Sequence, residues 1–455
     1  MLSSEEISII VPLMSDDSQL IVIDQVRIGM FIKLDLSWFE HSFPMNSFKI
    51  TNQQQIDELL GLKLKHVRYL PSKSDPLSAT PVDRNIATTT AAASVVPAPA
   101  PAAPAGQVYA SIIDAKRARF EKLQKQREEI ARCEEKFVKA ATVVKSINKL
   151  IFSQPAETIQ EASKLVDSMA EVFLSGTDTV MHLIQQSTGS EEMYFHTLNV
   201  SVLAMMLAHE MKCSPAQIKT VGIASLFHDL GKVNVPEHIL NKTGPLTKPE
   251  QHFFELHTQY GVEVGKKAGL PATVLDVIAQ HHEFMDGSGY PHHLKGEAIR
   301  MPSRIVTIAN VYDNLCNHND HSLSLTPHEA LSTMYAHRRT QFDQAVMATL
   351  VKSLGVYPPG TLVRLSNEAI GLVMNVNVGK PLRPRVLMYD AGIPKEDAII
   401  LDLAEESKEL SISASIRPGL LPRAIYEYLN PRKRVNYYFD SQSKKTQSNP
   451  LPGAR

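Results

Sequence analysis

Residues 281–291 read HHEFMDGSGYP, and FHDLGK stands upstream at 227–232. The adjacent His281 and His282, the His228–Asp229 pair, and the isolated His196 and His257 supply imidazole and carboxylate donors for more than one metal ion. Ions held by such donors generate hydroxide from water near neutral pH and clamp a phosphoryl group, so the chemistry indicated is hydrolysis of a phosphodiester. Glu192 and His196 are spaced i, i+4, which puts both on one helix face within reach of one ion or two neighbouring ones. Neighbouring residues on a helix diverge. His228 with Asp229, and His281 with His282, therefore converge only at a helix end or across a shared pair of ions.

A lone histidine is ordinarily a surface or satisfied core residue, and His252, His292, His293, His318, His321 and His337 are assigned that role. Glu192 or His257 taken alone would be read the same way. The combined pattern HD-x-G-K followed by HHE-x-x-DGSGYP is too long for that reading. Histidine is also clustered: 15 of the 17 lie between His182 and His337.

These residues need a scaffold. The chain has 455 residues, more than one hydrophobic core accommodates, so several domains are expected. Hydrophobic content of 43% and charged content of 21% are ordinary for a globular protein. A net charge of −1 excludes duplex nucleic acid as a bulk partner while leaving room for a small anionic ligand. Cys133, Cys213 and Cys316 are scattered and odd in number, which reads as free thiols in a reducing compartment. The N-terminus lacks a basic, apolar signal pattern and no long apolar run occurs, so a cytoplasmic protein without a membrane span is expected.

Residues 20–72 alternate short apolar runs with the amphipathic ITNQQQIDELLGLKL and predict a small α+β domain over 1–72. Residues 73–106 are rich in Pro and Ala and form a semi-rigid linker. A connecting helix is expected over 107–154. Within 108–150, Leu123, Ile130, Phe137 and Val144 repeat every seven residues, but Arg127 and Glu134 break the companion position. Two readings follow: a seam for a homodimer, or a helix packed by one stripe on the next domain. Residues 155–353 are helical in pattern throughout and predict a helical bundle. Short alternating runs over 354–439 predict a small β-rich appendage, and 440–455 a disordered tail. The fold class is mainly α, with a small β-containing region at each end.

Residues 155–350 resemble the HD-GYP domain, a branch of the HD metal-dependent phosphohydrolases. The resemblance lies in EMYFHTLNVSVLA, LFHDLGKVNVPEHILNKTGPLT, ELHTQYG, IAQHHEFMDGSGYP and LKGEAI. Residues 20–72 resemble the small domain of unknown function that often precedes it, through GMFIKLDLSWFEHSF. The resemblance implies an all-α bundle that hydrolyses cyclic di-GMP with two or three divalent ions, iron or manganese favoured and zinc or nickel also compatible. His196, His228, Asp229, His257, His281 and His282 match metal ligands, with Asp229 as the bridging carboxylate. Glu192 matches the carboxylate that accompanies a third ion. Lys232 matches a lysine near the scissile phosphate, and Gly287, Gly289, Tyr290 and Pro291 form the signature loop.

Two departures stand out. Where the family has the first Asp of an ADVYDAL-like stretch as the closing ligand, this chain reads ANVYDNL, with Asn310 there and Asp313 at the second Asp. Where the family has a basic pair near the bound ligand, this chain has Asn319 and Ser322. The leading expectation is a cyclic di-GMP phosphodiesterase. The alternatives are hydrolysis of a mixed GMP–AMP cyclic dinucleotide and a binding module that docks a partner such as a GGDEF-domain protein.

Overall fold

The computed structural model of the chain describes residues 18–36, 41, 43, 46–75, 105–174, 179–184, 192–242, 244–318, 320–376, 380–395, 398–431 and 435–441. Most of the linker 73–106 and of the tail 440–455 lies outside these residues. The chain divides into two compact units.

One unit runs to Gln124 and includes Ser366–Ala369 and Asp390–Ala398. It holds β1 (Gln19–Val22), β2 (Phe31–Lys33), β3 (Ser47–Lys49), α1 (Gln53–Gly61) and β4 (His66–Tyr69). The strands form an antiparallel sheet in the order β1-β4-β2-β3. The Asn52 side chain caps α1 by accepting from the Gln55 N–H at 3.0 Å. Ile56 and Leu59, spaced i, i+3, then face Ile32, Phe48 and Ile50 in a small core.

The other unit, from Lys125, carries most of the chain. The unit boundary falls inside α2 (Ala105–Leu150). From Cys133 onward, Phe137, Ala140, Val144 and Ile147 enter this unit's hydrophobic core. Of the two readings of the heptad stripe, intramolecular packing is the one observed for that part of the helix.

The bundle continues with α3 (Pro155–Leu174), β5 (Thr179–Ile184), α4 (Glu192–Glu210), α5 (Pro215–Phe227), α6 (Glu237–Leu240), α7 (Lys248–Glu255), α8 (His257–Ala268), α9 (Ala272–Gln280), α10 (Met301–Cys316), α11 (Pro327–His337) and α12 (Gln344–Leu354). Capping boxes at Ser214/Gln217, Thr247/Glu250 and Thr326/Glu329 start α5, α7 and α11. Gly269, at φ +86°, ends α8 in a left-handed turn. The middle of α4 is buried all round, which is why its sequence reads as an almost continuous apolar run.

The strands expected at the C-terminal end are present: β6 (Leu362–Leu365), β7 (Ile370–Asn375), β8 (Arg385–Met388), β9 (Ile400–Asp402), β10 (Ile412–Ile416) and, after α13 (Arg423–Leu429), β11 (Asn436–Ser441). They are not set apart from the bundle. Leu362, Leu372, Met374, Tyr437 and Phe439 share one core with Phe137, Phe173 and Leu203.

The expectation that 155–353 is helical throughout is corrected at one place. TVMHLI, at 179–184, is a strand paired along its length with β11. Its Thr, Val and Ile favour extended backbone, but a six-residue apolar run has no period long enough to declare itself. Through β5 and β7 the path β10-β6-β7-β5-β11 becomes a seven-stranded sheet, with β8 and β9 branching from β7. Among the described residues no helix is long and apolar enough to cross a membrane.

Candidate metal centre

Three helix ends, a short turn and the first turns of α4 bring the site together. His228 is the C-cap of α5, and Asp229 follows it into the 3-10 turn Leu230–Asn234. His257 begins α8, and His281 is the C-cap of α9, with His282 next. His196 projects from the first turns of α4. The adjacent pairs therefore converge because each sits where a helix stops.

Gly231 permits the approach of the turn to α8. A Cβ on it would lie 1.9 Å from the His257 carbonyl oxygen and 2.3 Å from the Gly261 nitrogen. No other residue fits between those backbones.

Asp229 is the hub. Its Oδ2 lies 3.2 Å from His228 Nε2 and 3.7 Å from His196 Nε2. Its Oδ1 lies 3.6 Å from His257 Nε2 and 3.7 Å from His281 Nε2. Two donor sets result, Asp229 with His257, His281 and His282, and Asp229 with His196 and His228. They share one carboxylate, with a different oxygen facing each.

The tautomers are set from behind. Nδ1 of His228, His257 and His281 donates to the carbonyl oxygens of Ser225 (2.7 Å), Phe254 (2.6 Å) and Ile278 (2.9 Å). His196 Nδ1 donates to Asp313 Oδ2 at 2.7 Å. Each ring then turns an Nε2 lone pair inward.

The buried atoms His196 Nε2, His228 Nε2, His282 Nε2 and Asp229 Oδ1 have no hydrogen-bond partner among the described residues. Nε2 of His257 and Nε2 of His281 face each other at 3.3 Å. Buried acceptors directed at one another without donors are costly unless a cation sits among them. This donor set fits divalent ions.

Electrostatics supports the same state. Burial pushes the His257 imidazole down to about 3, against the opposing pull of Asp229. Burial likewise lowers His281, and lowers His282 well below the ordinary histidine value. Burial alone would raise the Asp229 carboxyl, but His228 and Lys232 together hold it well below the usual carboxylate range. The His257, His281 and His282 imidazoles are neutral and the Asp229 carboxylate ionised near pH 7, as coordination requires.

A pH dependence follows. Above the ordinary value of 6.5, His257 is neutral both folded and unfolded. As pH falls below 6.5 the unfolded chain takes the proton first, so stability is lost progressively from there toward pH 3. This one residue contributes a slope of up to about 1.4 kcal/mol per pH unit. Urea melts of chelator-treated protein between pH 7 and 5 should show stability falling with pH. His257→Asn should flatten that dependence, and parallel curves for the two proteins would contradict the assignment.

Lys232 Nζ lies 2.6 Å from Asp229 Oδ2 and 5.7 Å from the centroid of the Phe254 ring, with the side chain 27% exposed. The signature loop is folded back on the paired histidines. The Tyr290 ring stacks on His282 with centroids 4.6 Å apart, and the Tyr290 N–H donates to the His282 carbonyl oxygen at 3.1 Å. A Cβ at Gly289 would lie 2.4 Å from that oxygen, and Gly287 takes φ +80°. The Tyr290–Pro291 bond is cis. Burial, with Asp229 nearby, raises the Tyr290 phenol well above its ordinary value, so it stays protonated.

Glu283, next to the histidine pair, was not singled out in the sequence. It is buried and accepts from the N–H groups of His292 (2.7 Å) and Leu294 (2.9 Å), pinning the far side of the loop. The E of HHE was the available signal.

The remaining candidates divide. Glu192 begins α4, but its side chain lies outside the described residues. Asn310 is buried on α10, one turn before Asp313, and its Oδ1 accepts from Asn314 at 2.8 Å. Asn319 is outside the described residues. Ser322 is exposed, and its N–H and hydroxyl both donate to Asp320. His252, His292, His293, His318 and His337 are exposed, in keeping with an ordinary surface role; the His321 side chain is outside the described residues.

Comparison with known proteins agrees with this geometry. The HD domain model matches residues 145–346, and a domain of unknown function (DUF3391) matches residues 18–162. A cyclic di-GMP phosphodiesterase of Pseudomonas aeruginosa is 31% identical over 81% of this chain and 84% of its own length. A cyclic di-GMP phosphodiesterase response regulator of Xanthomonas campestris is 29% identical over 45% of this chain and 56% of its own. A 3'3'-cGAMP-specific phosphodiesterase of Vibrio cholerae is 32% identical over 36% of this chain and 32% of its own. The fold and the histidine–aspartate cluster define an HD-domain protein of a metal-dependent class. Within that class the chain belongs to the HD-GYP family.

Proposed function

We propose that this chain hydrolyses a cyclic dinucleotide, with cyclic di-GMP as the preferred substrate. The observation that carries the reading is Asp229, whose two carboxylate oxygens face two histidine sets. His257, His281 and His282 would hold one divalent ion, His196 and His228 a second, and Asp229 would serve both. Glu192 and Asn310 are the candidates for completing the shell, Glu192 with a third ion. Iron or manganese suits the mixed donors best, with zinc or nickel also compatible. Ions held there supply an ionised water near neutral pH and positive charge against the phosphoryl oxygens.

The chain's own groups supply the rest. Lys232 places an ammonium at the exposed edge of the cluster, where it offsets charge developing on the phosphate. The signature loop, stacked on His282, shapes one wall. Water is added across one P–O ester bond to give the linear dinucleotide. The choice of cyclic di-GMP over the mixed GMP–AMP dinucleotide is supported by a relative that matches 81% of the chain and is named for cyclic di-GMP.

A second reading, a binding module that docks a GGDEF-domain partner, is favoured by Asn310 and by Ser322, which is engaged with Asp320. A homodimer through the 108–150 helix would have to use a face other than Phe137, Val144 and Ile147, which are committed to the core.

Asn310→Asp separates the enzyme from the binding module. A charged contact to the ion is worth at least as much as a hydrogen bond to a charged group, about 1.5–3 kcal/mol, or one to two decades in binding. The variant should bind manganese about 10- to 100-fold more tightly and turn over faster. Wild type purified without oxygen and incubated with cyclic di-GMP should yield the linear product slowly. If both proteins hold two metals and neither cleaves any cyclic dinucleotide, the binding-module reading replaces the enzyme.

A further inference from the structure

We infer that the C-terminal strand β11 is the outer support of one half of the metal centre, acting through Asn199, Asn317 and Asp313 on His196. The inference rests on the reading that His196, His228 and Asp229 hold an ion.

Asp313 is fully buried, and its Oδ2 accepts from His196 Nδ1 at 2.7 Å. Its Oδ1 accepts from Asn199 Nδ2 and Asn317 Nδ2, each at 2.8 Å. Both asparagines are themselves held by the backbone at the start of the strand, at Tyr437 and at Val435, the residue just before it. The Tyr437 N–H donates to Asn199 Oδ1 at 3.1 Å, and the Val435 N–H to Asn317 Oδ1 at 2.7 Å. In return Asn317 Nδ2 and Asn199 Nδ2 donate to the Val435 carbonyl oxygen at 2.8 and 3.1 Å. Each amide thus has its oxygen on a backbone N–H of this segment and its nitrogen shared between the Val435 carbonyl and the carboxylate.

These bonds lie in a buried setting where an unmade bond is costly, so strand, amides and carboxylate keep one arrangement together. A strand displaced by one residue would lose both N–H donors at once. Asp313 would then be released from one side, and His196 with it.

The other half of the centre is built differently. His257 and His281 lean on the carbonyl oxygens of Phe254 and Ile278, each three residues back on the same chain segment. His228 leans on Ser225 in the same way. Of the four rings whose support is described, His196 alone takes it from residues distant in sequence. The two donor sets should therefore respond differently to a change at β11. Asp313, Asn199 and Asn317 are positioning residues, and Val435–Tyr437 is the backbone they read.

The test is manganese binding to the full chain, followed by calorimetry and by metal analysis after desalting. Loss of an orienting partner behind a metal-bound histidine typically lowers affinity about 10- to 100-fold. Asn317→Ala and Asn199→Ala, which loosen that partner without removing it, should each weaken one manganese ion toward the lower end of that range, about 10-fold, and leave the other at wild-type affinity. The metal-free melts of the variants serve as a check on folding. Unchanged affinity for both ions, or equal weakening of both, would overturn the inference.

Hydrogen exchange on the wild type needs no variant. By reciprocity, manganese should slow exchange of the Val435 and Tyr437 amides, and His196→Ala should remove that slowing. Exchange there that is indifferent to manganese would also overturn it. A wild type that binds no manganese would instead remove the metal-centre reading itself, an outcome distinct from either.

Discussion

Asp229→Ala is expected to abolish hydrolysis of cyclic di-GMP and to strip the chain of most of its metal. Among the described residues the carboxylate is the single group common to both donor sets, and no other acid stands within either set to replace it. Its removal also leaves the Lys232 ammonium without the partner 2.6 Å away, adding a positive charge where cations should bind. A loss of about a thousandfold or more in turnover is expected, equivalent to about 4 kcal/mol of barrier. Mass-spectrometric metal analysis beside a turnover assay checks both halves. A variant that kept two metals and more than a tenth of its activity would show that Asp229 is not the bridge.

Lys232→Ala is expected to separate chemistry from metal binding. Lys232 touches Asp229 Oδ2 but belongs to neither donor set, and its side chain reaches the exposed edge of the site. If it offsets charge on the phosphate, turnover should fall about 100- to 1,000-fold, the range for removal of one transition-state donor. Metal content should stay near wild type, because removing a competing cation does not remove a ligand. An emptied site in Lys232→Ala would mean that the lysine organises Asp229 and does not act on substrate.

How far the sequence disclosed this site depended on how local each contact is. His228–Asp229 and His281–His282 were legible because each pair is contiguous, and the problem of divergent neighbours is solved by the helix ends on which they sit. The glycine of HDLGK gave no hint of its role, since the backbone it must clear belongs to α8. Asp313 was visible only as part of a motif. That it presents His196 is a contact across 117 residues. Asn199, a fully buried amide in an apolar helix, could have been flagged as needing partners, but its partners on β11 lie more than 230 residues away. The same separation hid β5, whose pairing strand lies near the other end of the chain. Most of the linker at 73–106 and the Glu192 carboxylate fall outside the described residues.

The most direct measurement of the central claim is metal occupancy against turnover on one preparation. Protein stripped with chelator and reloaded stepwise with manganese should be inactive without metal. It should bind at least two ions per chain and release linear dinucleotide from cyclic di-GMP only once the second ion is bound. Full activity in the stripped protein, or saturation at a single ion with undiminished turnover, would contradict a centre built on two donor sets that share Asp229.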